Sequence, residues 1–147
     1  MVIVVIGLLT LIVIPGIRLA IMTTRSKTVA NDLRVFLIAF QQYRAENTDF
    51  PSDAATGAMP TGMAEFLRET TWLATTPING RYNWDFNCNQ AGTVYRAAIG
   101  LRSVGANSVS SDLEQLLQID RLIDDGSLVS GNFFLGAGNE PVFIIER

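Results

Sequence analysis

Histidine is absent from this chain. That removes the side chain that titrates nearest neutrality and the commonest metal ligand, and with it any Ser-His-Asp or Cys-His pair. Cysteine occurs once, at Cys88, so neither an intrachain disulfide nor a Cys-Cys zinc clamp can form. Charge is scarce: 17% of residues are Asp, Glu, Lys or Arg against a typical ~25%. Lys27 is the one lysine, and the net charge of −3 gives no sequence-independent hold on nucleic-acid phosphates. The composition has no collagen period, no disulfide framework and no disordered bias. With no nucleophile–base pair and no phosphate-cradling loop, an enzyme is not expected.

What is present is hydrophobic, and it is concentrated. Apolar residues make up 48% of 147, and from Met1 to Ile17 every residue but Thr10 is apolar or small. As a helix rising ~1.5 Å per residue, Met1 to Met22 covers most of a ~30 Å hydrocarbon layer. It lacks the basic start and small-residue cleavage site of a secretory signal. It is apolar all round, unlike a one-sided core helix, so a membrane span or a helix packed in an apolar bundle fits.

The run then changes character without a stop signal. Apolar residues fall at Val29, Leu33, Phe36, Phe40 and Tyr43, in steps of 4, 3, 4 and 3, which is one helical stripe. Asn47 and Pro51 read as the end. One helix is therefore expected from near Met1 to about Ala45, nearly ~70 Å long. Gly7 and Pro15 interrupt its greasy half. Pro15 lacks an N–H and crowds the carbonyl of Leu11, so the reading is a kinked membrane helix or a stretch that melts and re-forms.

The run Met1-Val-Ile-Val-Val-Ile-Gly7 to Pro15-Gly-Ile, with its glycine-to-proline spacing, β-branched filling and one-sided continuation, resembles the N-terminal helix of type IV pilins and type II secretion pseudopilins. On this alignment the family's basic leader, its glycine-phenylalanine pair and its glutamate fall upstream of Met1. The resemblance implies a filament subunit. Its residues 1–24 would be a transmembrane and filament-core helix, 25–46 the amphipathic continuation and 47–147 a globular α+β head. Gly7, Pro15, Val29, Leu33, Phe36 and Phe40 would be the helix residues that serve membrane and filament. It also implies a homo-oligomeric helical filament, an assembly machinery as partner, and residence in a bacterial inner membrane with a periplasmic head before transfer to a pseudopilus or extracellular pilus. The alternative is a membrane-anchored binding module, or a minor pseudopilin adaptor, that does not polymerise. Replacing the first 22 residues by an unrelated span would abolish assembly on the first reading and be harmless on the second.

The remainder reads as a small head. A short helix is expected with Thr61 as N-cap and Met63, Phe66 and Leu67 on its buried side. Thr76-Pro-Ile-Asn-Gly80 is a turn. Arg81 to Asn87 alternates, with Tyr82, Trp84 and Phe86 on one face, the pattern of a half-buried strand; a nucleic-acid stacking surface is the other use of such a row. Thr93 to Arg102 completes a hairpin. A Pro-x-x-Gly turn before aromatic residues also recurs in pseudopilin-like proteins. Ser111 and Glu114 form a capping box, followed by an apolar face of Leu113, Leu116, Leu117, Ile119 and Ile123, with Gly126 at C′. Strands are expected over Asn132 to Leu135 and Val142 to Glu146. The fold class is thus α+β, a long N-terminal helix on an antiparallel sheet of about four strands, which the resemblance makes pilin-like.

Candidate chemistry is confined to Asp120, Asp124 and Asp125. Asp120 projects into the apolar face, and the other two sit at a helix C-terminus, where the dipole disfavours negative charge by ~0.3–1 kcal/mol each. Something must compensate. The candidates are a distant arginine, a solvated helix end, or a calcium ion, whose preference is for carboxylate and carbonyl oxygens; calcium sites also occur in parts of the resembling family. No other cofactor is expected.

Overall fold

The computed structural model describes the side chains of residues 16–147, and its first helix, α1, is bounded Val2–Asn47. Gly7 and Pro15, with the readings attached to them, lie outside the described residues. The expected stripe is what docks α1: Val29, Leu33, Phe36 and Phe40 are all buried, with Ala30 and Ala39 beside them. The helix stops where Asn47 Nδ2 donates to the Tyr43 carbonyl at 3.0 Å and Thr48 turns to φ 71°.

α1 packs on a four-stranded antiparallel sheet, β1 (Arg81–Gln90), β2 (Thr93–Arg102), β3 (Phe133–Leu135) and β4 (Pro141–Glu146), in the order β1-β2-β4-β3. The hairpin turn carries Ala91 and Gly92 at φ 51° and 88°, as a two-residue connection between twisted strands requires. The inward row of β1 is aromatic. Tyr82 and Trp84 are buried against α1, which assigns the row to packing, with Phe36 edge-on to Tyr82 at 4.8 Å. The core also takes Trp72, from the short helix α2 (Glu69–Trp72), whose Nε1 donates to the Ala58 carbonyl at 2.8 Å.

Helix α3 (Leu113–Ile123) lies along α1. Ser26 Oγ donates to the Gln115 carbonyl at 3.3 Å and Arg34 donates to that of Leu122.

Several local expectations are corrected. Gly62 at φ 81°, not Thr61, precedes the 3-10 turn Met63–Glu65, and a Cβ there would lie 2.9 Å from the Tyr43 ring. The N-cap of α3 is Asp112, one residue later than expected; its carboxylate accepts from the Glu114 amide at 3.0 Å and the Gln115 amide at 3.3 Å. Leu113 is exposed instead of buried. α3 ends with Asp124 as C-cap, and Gly126 follows two residues on at φ 80°.

The expected residence in a bacterial inner membrane, with a periplasmic head, is also corrected. Among the described residues no helix is long and apolar enough to cross a membrane. From Gly16 on, α1 carries Arg18, Arg25 and Lys27, and its apolar residues from Val29 to Phe40 are largely taken up by the head's own core.

Candidate metal centre

α3 and the loop after it bring Asp120, Asp124 and Asp125 together, with one ligand oxygen from each within 4.8 Å of the others. Asp120 is on the inward face of α3, in the turn between Leu116 and Ile123. It is 0% exposed, and neither carboxylate oxygen has a hydrogen-bond partner. Burial pushes its pKa up to about 6; the charges of Asp125 and Asp124 add to the shift, and the nearby Gly126 and Ser127 amides oppose it.

The other two carboxylates are satisfied, but not by arginine. Asp124 Oδ2 accepts the backbone N–H of Asn132 and, at 2.9 Å, that of Phe133. Asp125 accepts the Ser127 amide at 2.9 Å and the Ser130 hydroxyl at 2.8 Å. The loop from Ser127 to Phe133 therefore folds back to supply N–H donors to a helix end that repels negative charge. Gly131 makes the approach close: at φ 75°, a Cβ there would overlap Oδ2 of Asp124. Among the described residues the ion pairs are Arg44 and Arg96 with Glu146, Arg96 with Asp49, and Arg102 with Asp85 and Glu140; none reaches the cluster. The distant arginine is thus replaced by backbone amides.

The donor set fits a hard cation. All three ligands are carboxylate oxygens, and two oxygens across a calcium ion at 2.3–2.6 Å would be ~4.6–5.2 Å apart. A cation would also supply the partner that buried Asp120 lacks. Zinc and copper are poorly matched, with no imidazole or thiolate at hand.

The helix residues divide differently. Val29, Leu33, Phe36 and Phe40 serve the head's interior. The opposite side of α1 stays bare: Ile17, Ile21, Val35 and Ile38 are each 47–63% exposed. Sequence reading followed the core stripe and passed over this second series, whose signal is a 4-3 spacing of uncharged residues. Asp32 was also missed. It sits half-buried at the edge of the bare side, where Tyr82 Oη donates to its Oδ2 at 2.9 Å; burial raises its pKa, against the effect of that bond.

No protein-family model matches the chain, and no curated protein matches it in sequence.

Proposed function

We propose that this chain is a structural subunit of a helical filament of the type IV pilus or type II secretion pseudopilus kind, built from copies of itself through α1 and put together by a dedicated assembly machinery. One observation carries the reading. A single 46-residue helix closes the head's core with one face and leaves large aliphatic side chains exposed on the other, and its residues from Gly16 to Arg25 extend beyond its first buried residue, Ser26. Covering such side chains stabilises an assembly by ~25 cal/mol per Å² of apolar surface removed from water. The N-terminal resemblance supports the same reading, and the head's packing on a long helix agrees with a pilin-like fold. Electron microscopy of the purified full chain tests it: filaments are expected for the parent and their loss for Ile17→Asp. Monomers under all conditions, with no secretion or pilus defect on deletion, would overturn it.

A second element of function is cation binding. The observation favouring it is Asp120, a buried carboxylate without a partner beside two others. Calcium held there by Asp120, Asp124 and Asp125 would tie the end of α3 to the loop that leads into β3.

A further inference from the structure

A cavity of about 300 Å³ lies where α1 meets the segment that enters α2. Asn31, Asp32, Val35 and Phe36 line it from the helix, and Arg68 and Thr71 line it from across. Ligand cavities run from ~300 to ~1,000 Å³, so an occupant of this one is small.

Its walls are tied to the core. Phe36 is buried and stands edge-on to Trp72 at 4.9 Å and to Tyr82 at 4.8 Å. The same Tyr82 donates Oη to Asp32 Oδ2 at 2.9 Å and so holds that carboxylate in place. On the other wall the Arg68 carbonyl accepts the Thr71 and Trp72 amides, both at 3.0 Å, which fixes the backbone that presents Arg68. A cavity framed in this way exists before anything enters it, and that lowers the ordering cost of binding.

Its two charges are opposite, yet they are not joined. Among the described residues neither Asp32 nor Arg68 takes part in an ion pair, although both line this one cavity. The Tyr82 bond engages one carboxylate oxygen of Asp32, and a carboxylate has acceptor sites to spare. Arg68 carries a planar fork of donors that matches a carboxylate in geometry. A guest that is only cationic would be repelled by Arg68, and one that is only anionic would be repelled by Asp32. A neutral guest would pair with neither. A guest carrying both charges pairs with both.

We infer that this cavity binds a small zwitterion, an amino acid with an apolar side chain, its ammonium on Asp32, its carboxylate on Arg68 and its side chain against Val35 and Phe36. The Thr71 hydroxyl and the Asn31 amide offer it further hydrogen bonds. All six lining residues come from one chain, so the site does not depend on the filament reading. Its rim shares Val35 with the bare side of α1, and a neighbour laid on that side would narrow its mouth.

Isothermal titration calorimetry of the full chain tests this, on the parent and on Ile17→Asp, which the filament reading expects not to assemble. The probes are glycine, L-leucine and L-phenylalanine, with two analogues of leucine: 4-methylpentanoate, which lacks the amine, and 3-methylbutylamine, which lacks the carboxylate. Leucine is expected to bind, and each analogue to bind roughly tenfold more weakly. Asp32→Asn keeps an acceptor for Tyr82 and removes the charge, so leucine should fall to the level of 4-methylpentanoate. Arg68→Gln, at an exposed position, should bring leucine to the level of 3-methylbutylamine. Binding of none of the three amino acids by either chain would overturn the inference. So would equal binding of leucine and its two analogues, the behaviour of an apolar cleft without charge recognition. Neither result bears on filament formation, which microscopy reads separately.

Discussion

The indole of Trp84 lies flat against the ring of Phe40, centroids 3.8 Å apart and planes 8° from parallel. This contact joins β1 to α1, and Trp84 is further fixed by donating Nε1 to the Pro51 carbonyl at 3.0 Å. Truncating Phe40 removes the stacked face and leaves a cavity under the sheet. Phe40→Ala is expected to cost ~3–5 kcal/mol in urea denaturation. Combined with Trp84→Ala it should cost less than the sum, by ~0.5–1.5 kcal/mol for the ring pair. Strict additivity would show that the two elements are not coupled through these rings.

The pH dependence of stability should carry the signature of Asp120. Its folded pKa, about 6, is above the ordinary aspartate value of 3.8, so the folded state holds this proton more tightly than the unfolded chain does. The stabilisation is full below the unfolded value and is lost as pH rises through the folded one. In the presence of a chelator, melting temperature should therefore carry a component that falls between about pH 4 and pH 6, and Asp120→Asn should remove it. An unchanged slope in that variant would place the titration elsewhere.

Calcium should reverse that loss. Above its pKa Asp120 is ionised, and a bound cation adds stability by mass action, ~2.7 kcal/mol at a hundredfold excess over Kd. Thermal melts at neutral pH, with calcium and with chelator, check this. The shift should be smaller with magnesium, which demands tighter octahedral geometry, and absent in Asp120→Asn. Identical melts in calcium and chelator would remove cation binding from the account.

Gly131 and Gly138 offer a controlled contrast. Both have positive φ, 75° and 73°, but a Cβ at 138 meets nothing within 4 Å, whereas one at 131 overlaps Asp124. Gly138→Ala should carry only the backbone penalty, ~1 kcal/mol. Gly131→Ala should cost more, ~2–4 kcal/mol, because it also disturbs the amides that satisfy Asp124. Chemical denaturation of the two variants measures the difference; equal costs would mean that the loop yields freely around Asp124.

The elements legible in the sequence are those with a period. The stripe Val29-Leu33-Phe36-Phe40 and the alternation Tyr82-Trp84 each state their own geometry; the hairpin turn, expected over Asn89 to Gly92, is tighter, because β1 runs on to Gln90. Trp72 could not be placed, because the four-residue helix that carries it is too short to have a period. Leu113 was assigned a buried face correctly oriented for α3, yet it sits in the first turn, and periodicity does not say how far the partner surface extends. The acidic cluster was legible as three residues and a repulsive helix end. Its solution was not, since the donors Asn132 and Phe133 come from a loop whose return depends on the whole sheet.

The aromatic stripe of α1 has one further consequence, and it concerns time. Synthesis delivers α1 before β4, and at ~5–20 residues per second the strand that carries Phe143 follows the helix by several seconds. Through that interval both sides of the helix are uncovered, and Phe36 and Phe40 are open to any apolar surface they meet. The Arg44–Glu146 ion pair joins the end of the helix to the last residue of β4, so it forms only once that strand has been made. A newborn copy that met another before that point could bury the wrong side of its helix. On the filament reading, assembly therefore needs something that delays encounter until β4 has arrived.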